Sequence, residues 1–176
     1  MGDKSEIEIV LSEWMVGDGR VPRPEVGAFF NAILRLRLIG APAPVELNDT
    51  ALVSANDLFE GEVPTYVASG RLLRIPVAGN DRPLTAGMDV GSMVLGLYEE
   101  PAAFQPVEDS GAARCRGFIM LDPYIEREKD FPSRVSRYRV FSVEERYQPV
   151  PPALDKHTEG GPSYYLLGAR LVAQEA

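Results

Sequence analysis

Residues 28–39 read Ala-Phe-Phe-Asn-Ala-Ile-Leu-Arg-Leu-Arg-Leu-Ile, and this alternation constrains the fold more than any other stretch. Phe30, Ala32, Leu34, Leu36 and Leu38 share one parity, and Asn31, Arg35 and Arg37 share the other. Successive side chains of a strand point to opposite faces, so this order separates an apolar row from a charged one. On a helix the arginines would interrupt the apolar stripe. One strand over residues 28–39, with one buried face, is predicted.

The same test finds further strands. In residues 6–15, Ile7, Ile9 and Leu11 oppose Glu6 and Glu8. Residues 65–77 are strand-like but interrupted by Gly70, with Pro76 at an edge or end. Residues 89–98, 113–121 and 134–145 follow; in the last, Tyr138 and Val140 share a parity, as do Val135, Phe141 and Val143. Residues 163–173 carry apolar side chains on both parities, the mark of a strand buried from two sides or of a short helix. Ala41-Pro42-Ala43-Pro44 forces extended backbone. Ser54 is predicted to cap one helical turn over residues 54–59, which Gly61 and Pro64 keep short. Turns are expected at residues 17–24, 79–83, 109–111 and 122–123, and a mobile loop at residues 148–162.

The reading is therefore a mainly β protein: an antiparallel barrel or two-sheet sandwich of about seven strands, with one or two short helices. Closure or stacking is the natural way for so many strands to hide their edges. The 176 residues fit a single domain. Its core can bury roughly 70% of the unfolded surface, without a disulfide or metal to hold it. Fifteen prolines and sixteen glycines, spread along the chain, fit many short strands joined by turns.

Cys115 and His157 are the only residues of their types, so neither a disulfide framework nor a Cys/His zinc cage can form within the chain. No cofactor or metal is called for. The opening Met-Gly-Asp-Lys-Ser-Glu is too polar for a signal peptide, Glu6 replaces the Ser or Thr of a myristoylation signal, and no apolar run reaches ~20 residues. The cytoplasm, with no membrane contact, is the expected location. Net charge is −8, concentrated in residues 1–112, which hold 8 basic against 17 acidic side chains. That balance disfavours nucleic acid, whose phosphates are met by Lys and Arg.

Three i, i+2 arginine pairs are the most unusual pattern: Arg35 and Arg37, Arg114 and Arg116, Arg137 and Arg139. On neighbouring strands with matching faces they would line one sheet surface, where guanidinium forks suit phosphate, carboxylate or a nucleic-acid backbone. Scattered, they would be solvated residues pairing with the surplus acids. Trp14, at the end of the first strand beside Gly17-Asp18-Gly19, is placed either to rim a pocket or to plug the end of the core. Cys115, opposite in parity to Arg114 and Arg116, belongs on the core face as an inert thiol. His157 and Asp122 read as a loop residue and a turn residue. No catalytic or phosphate-binding signature occurs, which argues against an enzyme without deciding the matter.

Two functions of different class follow. One is a non-catalytic binding module whose acidic surface meets a basic protein partner. The other is a barrel that takes an anionic small molecule or a nucleic-acid strand on its arginine-bearing face, as an enzyme or not.

Overall fold

The computed structural model describes residues 6–46, 48, 50–60, 62–75, 84–97, 107, 111–121, 135–147 and 164–172. The strands are β1 (Glu6–Ser12), β2 (Phe29–Ala32), β3 (Leu34–Leu38), β4 (Ala43–Pro44), β5 (Ala51–Phe59), β6 (Val63–Ile75), β7 (Leu84–Asp89), β8 (Val94–Gly96), β9 (Ala112–Leu121), β10 (Ser136–Arg146) and β11 (Tyr164–Leu171). Helix α1 (Glu13–Gly17) is a single short turn of five residues. The predicted mainly β class is correct, with eleven strands described instead of about seven.

Strand β9 organises the molecule. Along one edge it pairs with β6 at residues 112–117 and then with β1 at Val10–Met120. On the other it pairs with β4 at 113–114 and β3 at 117–121. The sequence β9–β3–β8–β7–β6 returns to β9 and closes a five-stranded barrel. From the same strand, β1, β11, β10 and β2 continue outward as an open wing.

Two glycines of the ring stand where a neighbouring backbone comes close. Gly117 opposes both Leu38 of β3 and Tyr66 of β6. A Cβ there would lie 2.8 Å from the carbonyl carbon of Arg37. A Cβ on Gly70 would lie 2.8 Å from the Asp89 carbonyl carbon. No side chain fits that close to a neighbouring backbone. Gly70 therefore does not interrupt β6, which runs unbroken through thirteen residues.

The main core fills the barrel and continues under the wing, joining Leu34, Leu36, Met88 and Leu95 to Ile9, Tyr138, Tyr165 and Leu167. A second cluster lies on the opposite face of the β9–β1–β11 junction and contains Val10, Val63, Phe118, Met120, Tyr164 and Leu166. Its cover includes Phe59, stacked on Phe118 at 5.5 Å. The two clusters explain why Tyr164–Ala169 is buried on both parities.

Four expectations need correction. Residues 89–98 are not one strand: Asp89 ends β7, residues 90–93 form a turn between strands, and β8 covers only Val94–Gly96. The strand beginning at Glu6 ends at Ser12, and Trp14 lies in α1. Residues 28–39 are two strands: the chain leaves β10 at Ala32 and joins β9 and β8 from Leu34, so Ile33 is a change of partner. Residues 54–59 form no helical turn; they belong to β5, whose register shifts between Ser54 and Leu58 where Asn56 adopts φ 57°. Asn and Asp tolerate that left-handed conformation, so a bulge suits the residues that resemble a cap. Pro76, the turn at 79–83, Asp122, His157 and the loop at 148–162 lie outside the described residues.

Candidate functional site

The predicted arginine face is half present. Arg35 and Arg37 lie opposite Met120 and Phe118, which share the parity of Arg114 and Arg116. Val10 opposes both Met120 and Leu166, which carries the same face onto β11, where Arg170 opposes Arg139. All six arginines thus belong to the outer face of one curved sheet. They do not form one surface. Arg35 is buried, Arg116 pairs with Asp57, and the Arg114 Nε donates to Ser69 Oγ at 3.2 Å. Arg137 and Arg139 stand three strands from β9, roughly 14 Å away at the usual strand spacing. Their guanidiniums lie 4.5 and 5.8 Å from the centroid of the half-exposed Phe29 ring.

Trp14 rims no part of the cleft described below. It packs against the main core with the Arg20 guanidinium 5.2 Å over its ring, at the far end of β1. Cys115 sits in the core as predicted, and burial pushes its thiol up to about 12. Among the described residues no group of three or more His, Cys, Asp or Glu could hold a metal, and no helix is long and apolar enough to cross a membrane.

Among the described residues, a cleft of about 670 Å³ lies between wing and barrel. That volume is within the range that encloses ligands. Its origin is the single-residue contact between β1 and β9. From Val10 back towards Glu6, β1 stays paired to β11 but parts from β9. Tyr66 of β6 reaches into the wedge, and its phenol oxygen accepts the Glu8 backbone N–H at 2.8 Å. Burial raises the Tyr66 pKa, so the hydroxyl keeps its proton.

One wall is Glu6-Ile7-Glu8 of β1, and the other is Thr50 with Ala51–Ser54 of β5. Tyr66, Val90, Ser92 and Met93 contribute from the barrel, and Phe141 from β10. Both walls consist of consecutive residues. Since neighbours in a strand alternate faces, the cleft meets β1 and β5 edge-on.

A bulge places Phe141. The register of β10 on β11 shifts between Val140 and Ser142, which opposes Gly168 and accepts that residue's N–H on its Oγ at 3.1 Å. The Phe141 ring covers Gly168, where a Cβ would come within 2.6–2.8 Å of two ring carbons. Glu8 also opposes Gly168, so the partly exposed ring lies beside the carboxylates. Glu6 pairs with Arg170, whereas Glu8 makes no ion pair with any described residue.

Sequence reasoning missed this site because Glu6 and Glu8 look like the solvated row of β1, and Phe141 like part of an apolar parity set. The available signal was Gly168 within the apolar run 164–169: glycine inside a buried strand marks a bulge or a close approach. No family model matches the chain, and no solved structure matches it.

Proposed function

We propose that the protein is a non-catalytic binding module that receives a basic segment of a protein partner in the cleft between β1 and β5. The observation that carries this reading is Glu8, a carboxylate with no ion pair to any described residue, beside an exposed aromatic ring, Phe141, in a cleft that also exposes Val53. A Lys or Arg side chain suits that mixture, because its stem packs on apolar surface while its head meets the carboxylate. Among the described residues the lining offers hydroxyls and carboxylates but no His, Lys or Cys, which favours recognition over nucleophilic chemistry. The net −9 of residues 1–112 would accelerate encounter with a basic partner.

The test is titration with a short lysine-rich peptide at low and high salt. Affinity should fall with salt, and Glu8→Gln should weaken it by about 1–2 kcal/mol, the scale of a charge-assisted contact. Unchanged binding in Glu8→Gln would end this reading.

A second reading rests on Phe29. An exposed ring flanked by Arg137 and Arg139 can stack a base while the guanidiniums meet its phosphates. It predicts that a single-stranded oligonucleotide binds and that Arg137→Glu with Arg139→Glu abolishes binding; fluorescence anisotropy decides it.

A further inference from the structure

We propose that the cleft takes its partner as an added β-strand, an extended segment of alternating basic and small apolar residues that pairs its backbone with the free edge of β5 along Ala51–Ser54. This rests on the reading of the cleft as the site of a basic segment and specifies how that segment is held. Strand β5 ends the sheet order, and among the described residues its pairing is with β6 alone. Its opposite edge therefore presents backbone N–H and C=O groups, and the cleft meets that edge.

Exposed edges are ordinarily blunted by Lys, Pro or a bulge, because a bare edge is a template for pairing. Ala51-Leu52-Val53-Ser54 has neither charge nor proline. The bulge, with Asn56 at φ 57° and Asp57 after it, begins at Ser54. The unprotected stretch is thus the one that lines the cleft.

Parity specifies the occupant's side chains. Leu52 and Ser54 oppose Ala68 and Tyr66 on the inner face, where the buried Val90 and Met93 also lie. Alternate residues of an added strand would meet this apolar side. The intervening residues would point to the outer side, the face of Glu6, Glu8 and Phe141, where ammonium heads find carboxylates and an aromatic ring. Main-chain bonds would supply affinity and the alternating side chains selectivity, as in other strand additions.

The experiment uses acetyl-Lys-Val-Lys-Val-Lys-Val-amide and its singly N-methylated forms with the full chain, read by titration and by amide hydrogen exchange. Methylation should weaken binding about tenfold or more at every second residue and leave the intervening residues unaffected, because only alternate N–H groups face β5. Outward-facing amides within 51–54 should gain protection. Binding that depends on Glu8 but is indifferent to the position of methylation, or that protects residues 6–9 and not 51–54, overturns strand addition and leaves the basic-segment reading in place. No binding at low salt overturns both.

Discussion

The barrel and the wing are built from the same kind of strand but closed in different ways. In the barrel, five strands return to their origin at β9, and backbone packs on backbone at Gly70 and Gly117. The wing reaches β9 through a single residue pair, Val10–Met120, and its tight glycine, Gly168, faces side chains: the Phe141 ring and Ser142 Oγ. Closure leaves little freedom for backbone to shift; an open attachment allows two surfaces to part. The cleft lies where the second arrangement meets the first.

The largest effect expected from this contrast is in the barrel. Gly117→Ala sets a methyl against the Arg37 carbonyl and should cost about 3–5 kcal/mol in denaturant unfolding, the upper range for single substitutions. Gly168→Ala pushes on a movable ring and hydroxyl and should cost about 1–2 kcal/mol while displacing Phe141 and weakening peptide binding. Equal losses at the two sites would break the distinction.

Alkaline pH sharpens it next. Burial raises the Cys115 thiol to about 12 in the barrel and raises the Tyr138 phenol in the wing. The folded chain then holds protons that the unfolded chain releases. This stabilisation is complete below the unfolded thiol value near 9 and is lost as pH climbs to about 12, at roughly 1.4 kcal/mol per pH unit for the thiol alone. Cys115→Ala should flatten that part of the profile, measured by urea unfolding at successive pH values. If the wing opens first, phenol ionisation seen by ultraviolet absorbance should precede alkylation of Cys115.

The smallest effects belong to the ion pairs. Arg146 reaches Glu62 at 3.1 Å, tying β10 to the residue that precedes β6, whereas the Arg116–Asp57 pair lies within the barrel half and is nearly half-exposed on both sides. Arg146→Ala should cost about 1 kcal/mol and Arg116→Ala a few tenths, both reduced by salt. A larger loss at Arg116 would reverse the assignment of the wing as the more loosely held part.

Local order was readable where one face of a strand meets the core. The parity of Leu34, Leu36 and Leu38 against Arg35 and Arg37, the burial of Cys115 between two exposed arginines, and the double burial of β11 all follow from alternation. It failed where register or partner changed. Strand β7 (Leu-Thr-Ala-Gly-Met-Asp) has no clean period, Ser54–Asp57 resembles a helix cap, and Phe141 lies in a bulge that alternation cannot foresee. The candidate site was legible only in fragments, because Glu8 and Val53 are 45 residues apart and only the parting of β1 from β9 sets them across one cleft.

By itself the sequence determined which side chains face inward on the strands that alternate cleanly, and hence a β-rich fold, because side-chain direction along a strand is a local property with period two. Only the tertiary structure decided which strands are neighbours, where the ring closes and which edges stay open. Those outcomes depend on hydrogen-bond partners far apart in the chain. Arg35 records the difference: alternation assigned it correctly to the outer face, and the packing around β3 then buried it.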